Sequence, residues 1–142
     1  MNKLIPLTIC LCLTSTPMLA EETIETCANG GGTVITGTIS EHRYCLSNNT
    51  MDWWNAISWC DGLGQKLFSL NDCKCDDRTQ NCTAKCPELA GVRENDEYRT
   101  WTTTPFSTTL AYFVKLSSGN ASAGTSPYGD HRNSYSHRAL CK

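Results

Sequence analysis

The residues of this chain best suited to chemistry are its cysteines, ten in 142 residues. Cys10 and Cys12 lie in an apolar N-terminal run, and the other eight are Cys27, Cys45, Cys60, Cys73, Cys75, Cys82, Cys86 and Cys141. Four thiolates gathered between Cys73 and Cys86 can in principle hold zinc. Their spacing, one residue, then six, then three, does not follow the usual zinc knuckles. In an exported chain an even set of cysteines reads as a disulfide framework instead. Eight cysteines allow roughly a hundred connectivities, so spacing alone does not choose among them. Within the cluster, nested pairing of Cys73 with Cys86 and Cys75 with Cys82 is preferred. Cys73 with Cys82 and Cys75 with Cys86 stays open beside it.

Other reactive groupings are sparse. His42, His131 and His137 have no HExxH or His-x-His spacing. His137 reads as a packed strand residue and the other two as solvated. No serine stands in a GxSxG context, and no convergent acid–base set can be named, so an enzyme is not expected. Asp72, Asp76 and Asp77 lie close together, but a charged turn in a cysteine loop accounts for them better than a hard-cation site. No cofactor is implied. The formal net charge is −2 without a basic block, which argues against nucleic acid or an anionic membrane surface as partner. Asn48, Asn81 and Asn120 each open an N-x-Ser/Thr triplet, which matters only in a glycosylating host.

The elements that position these residues read as one small α+β domain. Lys3, the apolar run Leu4 to Leu13, Pro17 and Ala20 form a secretory signal over residues 1–20, with cleavage after Ala20. Ile9 before Cys10 is too bulky for a lipoprotein processing site. The domain proper covers 21–142, secreted, periplasmic or at the cell surface, with no membrane span. Thr33 to Thr36 is a β-branched strand and Gly37 a turn, followed by a short strand ending at Cys45. A helix follows, with Asn49 or Thr50 as N-cap and Asp52 in its first turn. Trp53, Ala56, Ile57, Cys60 and Leu63 share one face of it. Most of the bulk of Trp53, Trp54 and Trp59 is read as core. Gly62 and Gly64 stop the helix, and Leu67, Phe68 and Leu70 read as a short apolar strand. Residues 71–95 form a polar loop stapled by its own cysteines, in which Pro87 limits helix. Tyr98 to Thr104, Thr109 to Leu116 and Ser136 to Cys141 read as strands, the last closing the sheet. Ser117 to Asn120 is a turn, and Ala121 to Tyr135 is loop.

The cysteine-bearing strand, the Trp-rich helix with Cys60 on its buried face and the run GLGQKLFSL together resemble the start of a C-type lectin-like domain. Trp101, in RTWTTTP, sits where that family has a Trp opening its central hairpin. The resemblance covers most of the chain from Cys27 to Cys141. It implies that Cys60 pairs with Cys141 and that Cys27 and Cys45 close an N-terminal hairpin. The family's second helix is replaced here by the cysteine loop. The Glu-Pro-Asn or Gln-Pro-Asp loop and the Trp-Asn-Asp strand of calcium-dependent sugar binding are both missing, so neither calcium nor that sugar chemistry is implied.

What the resemblance does imply is a non-catalytic binding module for a protein or glycan at the cell exterior. The alternatives are a structural envelope- or pilus-associated subunit and a secreted disulfide-rich inhibitor or toxin. In this family ligands meet the irregular half of the fold. Here that half includes Tyr128, Asp130, His131, Arg132, Asn133 and Tyr135, with Tyr and Arg as common interface anchors. A plain solvated loop is the competing reading.

Overall fold

The computed structural model of the protein describes residues 18–74, 85–95, 98–105, 107–122, 132, 135 and 137–142. The expected signal segment therefore lies outside the described residues up to position 17. Helix α1, Met18–Asn29, runs across the expected junction after Ala20. Strand β1, Gly32–Thr36, returns as β2, Arg43–Met51, and helix α2, Trp53–Gly62, follows at once. Two 3-10 turns, Leu70–Cys73 and Pro87–Leu89, occupy the cysteine-rich region. Strands β3 (Arg99–Pro105), β4 (Ala111–Lys115), β5 (Ala121–Ser122) and β6 (His137–Cys141) complete an α+β architecture.

The six strands form one mixed sheet in the order β1-β2-β6-β3-β4-β5. Every neighbouring pair is antiparallel except β3 with β6, where Thr100 lies opposite Arg138. The first long strand and the last strand are thus neighbours, and the β3–β4 hairpin is attached through β6. The β2–β6 register runs from Cys45 opposite Cys141 to Met51 opposite His137, with a bulge between Leu46 and Thr50. The bulge is held by Ser47, whose Oγ accepts from the Ala139 N–H at 2.9 Å, and by Arg138, which donates to the Ser47 and Asn48 carbonyls.

Alternation along the strands divides the core into two clusters. Ile35, Tyr44, Leu46, Phe68, Leu89, Val114 and Leu140 fill one. Trp53, Ala56, Cys60, Trp101, Phe113, Ala139 and Cys141 fill the other, which is the seat of α2. Trp101 is fully buried, and its indole N–H donates to the Met51 carbonyl at 2.8 Å, tying β3 to the end of β2. His137 is buried between Trp101 and Phe113, with ring centroids 4.4 and 4.3 Å away.

Three disulfides cross-link the described residues. Cys27–Cys45 joins α1 to β2, Cys60–Cys141 joins α2 to β6, and Cys73–Cys86 joins the two 3-10 turns. The last excludes the crossed alternative within the cluster. Cys75 and Cys82 lie outside the described residues. No helix among the described residues is long and apolar enough to cross a membrane.

Several local expectations are corrected. Ala121 and Ser122, read as loop, pair with β4 as β5, and Cys27 lies in helix α1, so its bond to Cys45 ties a helix to β2 instead of closing a hairpin. The N-cap of α2 is Asp52, whose carboxylate accepts from the Asn55 N–H at 2.7 Å, and not Asn49 or Thr50. Those two are still strand, because β2 continues six residues past Cys45 to Met51 and the helix starts directly after it. The apolar run 67–70 is also not a full strand. Leu67 makes a single bridge to Cys141, the Phe68 N–H donates to the Leu140 carbonyl and the Thr103 N–H donates to the Phe68 carbonyl. Ser69 then turns the chain: its hydroxyl and the Asp72 carboxylate cap each other's backbone, so Leu70 opens a 3-10 turn.

Candidate functional site

The start of α2 builds an exposed surface of aromatic rings and one guanidinium. Because β2 leads straight into Asp52 and the helix, Trp53 and Trp54 follow the strand end with no slack between. Trp53 turns inward, and its indole N–H donates to the Thr102 carbonyl at 2.7 Å. Trp54 lies one position off the buried stripe and stays 53% exposed, edge-on to Trp53 with ring centroids 4.7 Å apart.

Arg132 locks onto this pair. Its carbonyl accepts from the Trp53 N–H at 2.8 Å, and its own N–H donates to the Thr109 carbonyl at 3.0 Å. Nη2 donates to the Ser107 carbonyl at 2.6 Å, and Nε to the Leu110 carbonyl at 3.4 Å. The guanidinium carbon then rests 4.4 Å from the Trp53 ring centre and 5.7 Å from that of Trp54. A cation over an indole face gains about 1 kcal/mol at an exposed site and more when desolvated. A planar fork held by two carbonyls and a ring is pre-organised, so ordering it costs a ligand little.

Of the sequence-derived contact residues, the structure describes Arg132 and Tyr135. Tyr135 is 65% exposed. Tyr128, Asp130, His131 and Asn133 lie outside the described residues, as do Asp76, Asp77 and Arg78 of the cysteine loop. Sequence reasoning left Trp54 among the core tryptophans; its place off the 53, 56, 57, 60, 63 stripe was the signal that it faces outward. Trp59 is half-buried, and its indole N–H donates to the Gly30 carbonyl at 3.0 Å. Among the described residues, no three His, Cys, Asp or Glu side chains gather as a metal-holding group.

A second feature had no signal in the sequence. Glu88 is fully buried, and its carboxylate accepts from the Ile39 N–H at 3.1 Å, the Ser40 N–H at 3.0 Å, the Tyr44 hydroxyl at 3.0 Å and the Ser40 hydroxyl. Its backbone carbonyl accepts from the Thr38 N–H at 2.9 Å. A side chain at position 37 would run into this carboxylate, which is why a glycine stands there. Burial works against ionisation of Glu88, but the hydrogen bonds from Ser40, Tyr44 and Ile39 outweigh it and hold the carboxyl below its ordinary range. Burial pushes the Tyr44 hydroxyl up, with the Glu88 charge adding to it, to about 12.

Tyr44 therefore titrates later in the folded chain than in the unfolded chain. Its contribution to stability is whole below pH 10 and is lost as pH rises toward 12. Urea unfolding of the wild type should show a steep alkaline loss across that window, on the order of 2 kcal/mol. Tyr44→Phe should be less stable at pH 8 and should flatten the alkaline slope. An unchanged slope in the variant would assign the alkaline loss to other groups.

No family model matches the chain, and no curated protein or solved structure matches it either.

Proposed function

We propose that this chain is an exported, non-catalytic binding module of C-type lectin-like type, taking a protein or glycan ligand at the cell exterior without calcium. The observation that carries the binding role is the exposed Trp54 beside a guanidinium already fixed by the Ser107 and Leu110 carbonyls. Trp and Arg are the side chains on which binding energy concentrates most often, and here both are held before any ligand arrives. The surface sits on a base of strand end, capped helix and hairpin.

Several arrangements support the fold reading. The first long strand and the last lie side by side, α2 is cross-linked to the closing strand, a disulfide ties α1 to the N-terminal hairpin at β2, and a buried Trp opens the β3–β4 hairpin. Three disulfides among the described residues suit an oxidising compartment outside the cytoplasm.

A combined glycan and protein array, probed with the oxidised domain in the presence of chelator, tests this reading. At least one ligand class should be retained above background. Retention that appears only on adding calcium would overturn the calcium-independent assignment, and an array blank in both conditions would overturn the binding role.

A further inference from the structure

The opposite end of β2 carries a hollow of about 280 Å³, just below the usual range of ligand pockets and sized for a small molecule. Ser40 and His42 of the β1–β2 connection and Tyr44 of β2 line it, together with Asp72 in the first 3-10 turn, Lys74 just after that turn and Lys142 beyond β6. The β2–β6 register, with Cys45 opposite Cys141 and Met51 opposite His137, puts this hollow and the Trp54 surface at the two ends of the strand.

The wall of the hollow is polarised by the buried Glu88. The hydroxyls of Ser40 and Tyr44 both donate to its carboxylate, so their protons are turned away from the hollow. The lone pairs left on these oxygens are acceptors, one on Ser40 being taken by the His42 N–H at 3.2 Å. The rim is the reverse. Lys74 and Lys142 supply ammonium donors, with Lys142 paired to Asp72, whose other oxygen accepts from the Ser69 N–H at 2.8 Å. His42 stacks edge-on against Tyr44 with centroids 4.8 Å apart.

The backbone at the rim is turned: Lys74 is the left-handed C-cap of the first 3-10 turn, and Glu41 lies in the β1–β2 connection. Among the described residues, Glu41 and Lys74 are the non-glycine positions with positive φ, both at 56°. Glu41 stands between two lining residues and Lys74 is itself one.

We propose that this hollow binds a small hydroxy acid, with its carboxylate against the ammonium groups of Lys74 and Lys142 and a hydroxyl donating to Ser40 Oγ or Tyr44 Oη. A simple carboxylate satisfies only the rim, and a neutral sugar only the wall. The site is separate from the Trp54–Arg132 surface, and its existence does not depend on the function proposed for that surface.

NMR titration of the isotope-labelled, oxidised domain with gluconate, acetate and glucose at constant ionic strength tests the proposal. Gluconate should produce saturable shifts at the amides of Ser40, Glu41, His42 and Lys74, with acetate and glucose binding about tenfold more weakly, as expected when one charge-assisted or hydroxyl contact set is missing. Lys74→Gly relieves the left-handed backbone and removes the ammonium. It should keep or raise the melting temperature while weakening gluconate about tenfold. Tyr44→Phe should weaken gluconate while leaving acetate unchanged, and Trp54→Ala should change neither. Absence of saturable shifts, equal response to acetate and gluconate, or undiminished binding by Lys74→Gly would each overturn the site.

Discussion

Replacing Cys60 and Cys141 together by alanine is expected to lower stability by about 4.5 kcal/mol, the chain-entropy value for a loop of that length. The pair spans 81 residues, against 18 for Cys27–Cys45 and 13 for Cys73–Cys86. The same relation gives about 3 kcal/mol for each of the shorter loops. A difference of this size is a large share of the total stability of a small domain, roughly 5–15 kcal/mol. Both sulfurs are buried in the cluster that seats α2, so the bond also fixes the base on which Trp53 and Trp54 stand. Guanidinium unfolding of the three paired-alanine variants, compared with the wild type, measures the order directly. The Cys60/Cys141 variant should have the lowest midpoint. Finding the Cys27/Cys45 variant lower would mean that the N-terminal hairpin, not the α2–β6 link, holds the fold.

Glu88→Ala should cost about 3 kcal/mol, because it strands donors in a site where only some can reach water. Ile39, Ser40 and Tyr44 lose an acceptor at once, and the turn that Gly37 and Thr38 make against residue 88 loses its inner anchor. Glu88→Gln keeps an acceptor oxygen but sets an amide N–H₂ against other donors, so it should lose roughly half as much. The pH dependence separates this role from simple packing. A carboxyl held below its ordinary range stabilises the fold above that range and stops doing so as pH falls through its folded value. Wild-type stability should therefore fall below about pH 4.5 with a component that Glu88→Ala lacks. If the variant and wild type lose stability in parallel on acidification, Glu88 is not ionised in the folded chain.

How much of this was legible in the sequence depends on how local each signal was. The α2 stripe, its glycine stop and the alternation in β4 are local, and the structure has helix and strand there. Gly64 does take a left-handed conformation, with φ at 70°. The strand ends were harder. Asn49 and Thr50 are good capping residues, yet pairing with β6 keeps them in β2 and gives the cap to Asp52. Phe68 reads as a strand residue by composition, but its hydrogen bonds go to two different partners, Leu140 and Thr103, which no local pattern announces. Glu88 was opaque for the same reason. Its partners lie 44 to 49 residues away, and a lone Glu after Pro87 looks like any exposed acid. The proposed contact surface draws on two kinds of signal. Residue type singled out Arg132 and Tyr135, but only the tertiary fold places Arg132 over Trp53 and Trp54.

The binding role of the Trp54–Arg132 surface is tested most directly by the affinity of Trp54→Ala for a ligand retained on the array, measured beside its melting temperature. Trp54 is exposed, so its removal should leave the melting temperature within a degree or two of wild type. The same substitution should weaken binding about thirtyfold or more, as expected for a hot-spot tryptophan. Wild-type affinity in a folded Trp54→Ala variant would contradict the account.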